Sequence, residues 1–92
     1  KVVVLSIPDY GYTPFGKSKQ ATISAEIDQY NAINKRITEQ YEISWFDITP
    51  ISREAINNPA LVAADGLHPS GEMYRQWMDL IYESVKGKVN LD

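Results

Sequence analysis

The chain opens on an unbroken apolar run, Val2-Val3-Val4-Leu5-Ser6-Ile7 after Lys1, rich in β-branched residues. Such a run predicts a strand over 1–7 buried on both faces, the pattern of a parallel sheet. Pro8 ends it, having no N–H to give to a ladder. Periodicity then disappears over 8–21, where Pro8, Gly11, Pro14 and Gly16 punctuate a long loop. Loops of this length in a small domain are often functional. From 22 to 41, apolar residues return at helical spacing: Ile23, Ile27, Tyr30, Ile37 and Tyr41, with Ile33 beside them. Thr22 or Ser24 is the expected cap, and Glu26 and Asp28 suit the positive end of the dipole. Residues 42–48 predict a second strand, and a short helix over Ile51–Asn57 follows Thr49-Pro50 and closes at Asn58-Pro59. The last helix is expected from Ser70 to Lys86. Its apolar stripe is Met73, Trp77, Leu80, Ile81 and Val85, Ser70 is its N-cap, Gly87 its stop, and Lys86 suits its negative end.

The order strand, helix, strand, short helix, helix begins with a βαβ unit, whose crossover is right-handed by rule. Two strands alone make a poor sheet. A first strand this apolar is also a hazard as an exposed edge. The pattern therefore asks for neighbouring strands. The chain lacks an initiator Met and begins inside a strand, which leads us to expect an N-terminal portion beyond Lys1. The alternative is Met removal from a domain with a genuine N-terminal strand.

Composition narrows the function classes. Ninety-two residues suffice for one small domain, 43% hydrophobic and 11% aromatic, as a folded chain requires. The net charge is -3 with no run of like charges, so neither nucleic acid nor an anionic membrane surface is an expected partner. No stretch approaches the roughly 20 apolar residues of a membrane span. Without cysteine there is no disulfide, thiolate zinc site or cysteine nucleophile. One histidine and no cysteine also argue against a transition-metal site. No metal or other cofactor is expected, and composition leaves the compartment open.

The single histidine, His68, lies in Ala64-Asp65-Gly66-Leu67-His68-Pro69-Ser70-Gly71. Asp65 precedes it by three residues. Gly66 permits a tight turn that folds the carboxylate back onto the imidazole. Pro69 holds His68 to an extended backbone. A carboxylate on one ring nitrogen selects the tautomer and leaves the other nitrogen free to take a proton from a hydroxyl. By itself the spacing is weak: Asp-Gly is a common turn, and His-Pro-Ser commonly leads into a helix.

The surroundings carry more. The stretch from Val62 to Tyr74, with Trp77 in the following helix, resembles the last conserved block of the SGNH/GDSL hydrolases. In that family an Asp-x-x-His loop before the C-terminal helix supplies acid and base. Val3 to Gly11 is similar to the strand after the family's third block, and Phe46 to Ser52 to its penultimate strand and exit loop. The resemblance covers essentially the whole chain and implies a three-layer α/β/α flavodoxin-like fold with a parallel sheet. Residues 1–92 would form the C-terminal portion of one such domain. It implies a serine ester hydrolase in which His68 is the general base and Asp65 orients it. The substrate would be a small-molecule carboxylic ester, cleaved through an acyl-enzyme.

The departures are equally informative. The family's Gly-Asp-Ser nucleophile block and its oxyanion donors have no counterpart here. Ser6 precedes Ile-Pro rather than a glycine elbow, Ser70 reads as a cap, and Ser24, Ser52 and Ser84 fall on helices. The chain alone is therefore expected to be inactive, its nucleophile delivered by a missing N-terminal half or a companion chain. Tyr10, Tyr12 and Phe15 follow the C-terminal end of the first strand, where open parallel sheets bind ligands, and are candidates to line the substrate pocket. They serve equally well as the loop's own packing. Asp47 is expected to cap the turn with Thr49, and Asp9 lacks a partner at ligand spacing. The Trp77–Met78 region reads as core. The alternative to an enzyme is a non-catalytic α/β interaction module that keeps the loop for structure.

Overall fold

A computed structural model describes residues 2–86. Two short strands, β1 (Val3–Leu5) and β2 (Ser44–Phe46), pair in parallel with Val3 opposite Ser44, Val4 opposite Trp45 and Leu5 opposite Phe46. The helix α1 (Gln20–Gln40) connects them. After β2 come α2 (Thr49–Arg53), 3-10 turns at Glu54–Ile56 and Pro59–Leu61, and α3 (Gly71–Val85). The chain is thus mixed helix and strand around a two-stranded parallel sheet, compatible with part of an α/β fold.

Several elements depart from their sequence signals, the second strand among them, which keeps only Ser44–Phe46 of the expected 42–48. The run over 1–7 yields only three strand residues, and Val2 and Val3 are exposed. With β2 as the only strand beside it among the described residues, β1 cannot be buried all round. The expected loop over 8–21 contains 3-10 turns at Tyr10–Tyr12 and Lys17–Lys19, and α1 starts two residues early. Neither Thr22 nor Ser24 caps it. Lys19 stands at the cap position without a side-chain bond, and the Ser24 hydroxyl goes to Asp9 instead. The short helix begins at Thr49 rather than Ile51, because Pro50 fits the first turn, where no N–H is needed. The last helix is as expected, with Ser70 Oγ accepting from Met73 N at 3.2 Å. Its expected stop at Gly87 lies outside the described residues.

Pairing and alternation place helices on both faces of the sheet. Leu5 packs against a core cluster of Ile48, Ala55, Leu61, Met73 and Trp77, the last two from α3. Trp45, opposite Val4, faces the other way. Its ring lies 5.6 Å from the Lys35 ammonium of α1. The Leu5 face thus meets the core cluster to which α3 contributes, and the Trp45 face meets α1. Core placement of Trp77 holds, whereas Met78 is exposed.

The helical stripe of α1 is only half buried. Ile23 and Ile27 are in the core, but Tyr30, Ile33, Ile37 and Tyr41 are exposed. The inner face at these latter turns is polar. Asn31 accepts from Ile7 N at 2.8 Å and donates to Thr49 Oγ1 at 2.9 Å. Asn34 Nδ2 reaches the Leu5 carbonyl at 3.3 Å. Among the described residues the exposed Tyr30, Ile33, Ile37 and Tyr41 thus form one apolar row along α1.

Candidate active site

Asp65 and His68 stand at the tip of a wide hairpin. Val62 and Pro69 form an antiparallel bridge at its base, with Ser70 N donating to Leu61 O at 2.9 Å and Ala63 N to His68 O at 2.8 Å. Leu61 is fully buried below the bridge, and the Ser70 hydroxyl donates to Ala60 O at 2.6 Å. The hairpin is therefore pinned to the core at its foot and to the start of α3. Gly66 sits at the tip with φ +74, the left-handed region that a residue with a Cβ enters only under strain.

The Asp65 carboxylate is used twice. Oδ1 accepts from the backbone N–H groups of Leu67 and His68, each at 2.9 Å. Oδ2 meets His68 Nδ1. The first pair of bonds holds the carboxylate in place, and the second aims the imidazole. These contacts pull the Asp65 pKa down from 3.8 to about 2, the His68 side-chain bond contributing most and the two backbone bonds next. The His68 side chain is 71% exposed, and its Nε2 makes no hydrogen bond among the described residues. The arrangement can hold one tautomer and offer Nε2 to an incoming hydroxyl.

The aromatic candidates do not converge. Tyr10 shares with Leu67, His68 and Pro69 a small cavity of about 50 Å³ beside the imidazole. Tyr12 lines a separate cavity of about 350 Å³ along the flank of the hairpin. Phe15 lies farther off, exposed, in a third cavity of about 480 Å³ that Tyr10 also borders. The loop nevertheless touches the hairpin directly, through Phe15 N donating to Gly66 O at 3.1 Å.

None of the serines weighed as nucleophile bonds to His68 among the described residues. Ser6 Oγ is buried and accepts from Ile48 N at 2.7 Å, Thr49 N at 3.0 Å and Thr49 Oγ1 at 2.8 Å. Ser52 Oγ accepts from Asp9 N and donates to Thr49 O, while Ser84 donates to Leu80 O. Asp47 Oδ1 accepts from Thr49 N at 3.3 Å, the capping role expected of it.

Sequence reasoning left Asp9 without a partner, and the fold supplies three. Its fully buried carboxylate accepts from Gly11 N at 2.8 Å, Ser24 Oγ at 2.5 Å and Arg53 Nε at 3.0 Å. Arg53 also reaches Asp28 at 2.6 Å and lies 5.9 Å from the centre of the Tyr12 ring. This cluster ties the loop after β1 to α1 and α2, and so fixes the platform on which the hairpin rests. No local signal announces it, because Arg53 is 44 residues from Asp9. Among the described residues no group of three acidic or histidine side chains is placed to hold a metal, and no helix is long and apolar enough to cross a membrane. Comparison with protein-family models, with curated proteins and with solved structures finds no match.

Proposed function

We propose that this chain supplies the acid and base of a serine ester hydrolase of the SGNH/GDSL type, with the nucleophilic hydroxyl delivered by another stretch of polypeptide. The observation that carries the reading is the paired use of Asp65, whose one oxygen is locked by two backbone amides while the other meets His68 Nδ1. In the reaction the companion hydroxyl oxygen attacks the acyl carbon of the ester, and His68 Nε2 takes the hydroxyl proton. The Asp65 carboxylate stabilises the resulting imidazolium. The C–O bond to the leaving alcohol breaks as His68 returns the proton to that oxygen. Water then attacks the acyl-enzyme, again giving its proton to His68, and the carboxylic acid leaves as the companion hydroxyl is re-protonated.

The sheet supports a companion segment. Ser6 N donates to Phe46 O, so by alternation Leu5 turns its carbonyl away from β2, towards an edge that among the described residues only Asn34 reaches. The exposed row Tyr30, Ile33, Ile37 and Tyr41 runs along the α1 flank opposite Lys35. Since Lys35 lies over Trp45 of β2, that row overhangs this edge of β1. A strand laid there would be covered by it, as a larger three-layer fold requires. Such a strand, run parallel to β1, would end beside Pro8 to Tyr10, which border the cavity beside His68.

The test is fluorophosphonate labelling of the native protein from its source, with an intact mass. We expect labelling on a serine outside these 92 residues, slowed at least about 100-fold by His68→Ala, and none on the isolated chain. Labelling indifferent to His68→Ala, or absent where the imidazole is neutral, sinks the proposal. The second reading, an interaction module, draws on the same exposed row and on the turn-capping duty of Asp65. A native protein of this length that resists labelling would favour it.

A further inference from the structure

We infer that the cavity beside the hairpin binds a small molecule with an apolar body and one negative charge, anchored at Lys17. The cavity, about 350 Å³, is bounded by the loop from Tyr12 to Lys17, by Ala55, Ile56 and Pro59, and by the hairpin's Val62, Ala63, Ala64 and Gly66. That volume sits at the low end of small-molecule sites, which are apolar with a few placed polar groups. Seven of its eleven lining residues, Pro14, Ala55, Ile56, Pro59, Val62, Ala63 and Ala64, are apolar. Lys17 is the only charged residue in the lining and makes no ion pair among the described residues. The nearby cation Arg53 is already committed to Asp9 and Asp28. The lining thus carries one unopposed positive charge over an apolar floor.

The other cavities lack this character. The one of about 480 Å³ carries both Lys19 and Glu26, so it favours neither sign. The one beside His68, about 50 Å³, has room for a few waters at most and not for a drug-sized group. Position links the flanking cavity to the chemistry. Gly66 lines it two residues before His68, and the Phe15 N to Gly66 O bond ties the Lys17 loop to the hairpin. If the hydrolase reading holds, on which this step rests, the cavity takes the remote part of the substrate. The preferred class is then a small ester whose apolar portion carries an anionic group.

Benzoate is the probe and benzyl alcohol its neutral counterpart, each titrated into the native protein and followed through backbone amide shifts. Benzoate is expected to shift Tyr12, Ala63, Ala64 and Gly66 saturably, with a Kd on the order of 1–10 mM. Benzyl alcohol should bind about 3- to 5-fold more weakly, and Lys17→Met should erase that difference. Ala64→Phe, which fills the cavity from its exposed rim, should abolish both. Shifts that map elsewhere, no saturation, or a benzoate preference that survives Lys17→Met overturns the inference. The Asp65 carboxyl resonance in the same samples separates the two ideas. An ordinary Asp65 pKa removes the acid–base pair and leaves the cavity result standing. Failure to bind benzoate with Asp65 at about 2 removes the cavity alone.

Discussion

Replacing His68 by alanine should raise the pKa of Asp65 without restoring it to its ordinary value. The carboxyl sits at about 2 instead of 3.8, and the largest cause is the bond from the His68 side chain. Alanine removes that bond. The backbone amides of His68 and Leu67 still donate to Oδ1 at 2.9 Å each, so part of the depression persists. The direct assay is the Asp65 carboxyl carbon followed by NMR between pH 1.5 and 7. At pH 3 a group with a pKa of about 2 is roughly nine-tenths ionised, whereas one at 3.8 is roughly one-seventh ionised. His68→Ala should fall between these limits. Because folding lowers this pKa, the hairpin's gain from Asp65 is complete above 3.8 and is lost as the pH falls through about 2. A wild-type Asp65 that titrates at its ordinary value, or one that His68→Ala leaves unmoved, refutes the reasoning. Either result would mean that the carboxylate does not steer the ring.

Three stability predictions rest on the scaffold. Gly16→Ala should cost about 1–3 kcal/mol, since the new Cβ would stand 2.2 Å from the Tyr10 carbonyl oxygen; Gly71→Ala, whose Cβ meets nothing within 4 Å, is the control that should leave the urea midpoint unchanged or raised. Leu61→Ala empties a fully buried position under the hairpin and should cost about 2–5 kcal/mol, with hydrogen exchange at Ser70 N and Ala63 N rising first. Arg53→Met leaves the buried Asp9 carboxylate short of a donor and should cost about 1–3 kcal/mol in thermal or urea unfolding, and a variant as stable as wild type would show that Ser24 and Gly11 alone satisfy Asp9.

The legible parts of the fold were those in which cause and effect lie close together in the chain. Asp65 and His68 are three residues apart with a glycine between them, so their meeting is a local turn. Ser70 reads as a cap because the amide it accepts from is three residues on, and Asp47 reads as one because Thr49 is two residues on. The apolar stripe of the last helix was right where it meets the core, at Met73 and Trp77. The stripe of α1 was misleading, because spacing reveals that a face is apolar and not whether anything covers it. The strand over 1–7 shortened for a related reason, since a strand's length depends on the neighbour that pairs with it. Tyr10, Tyr12 and Phe15 are legible as a cluster in sequence, yet the fold gives them no common cavity: Tyr10 and Phe15 share one, Tyr10 borders a second beside His68, and Tyr12 lines a third.

The amino-acid sequence by itself determined the βαβ order, the capping by Ser70 and Asp47 and the carboxylate–imidazole turn, because each depends on signals within a few residues. Only the tertiary structure decided that Asp9 is neutralised by Arg53, that the Ser6 hydroxyl is consumed by the turn after β2, and that Lys17 stands over an apolar cavity beside the hairpin. Those pairings cross more than forty residues or join three separate segments. Chain collapse brings such partners together, and no periodicity or spacing along the chain encodes which of them will meet.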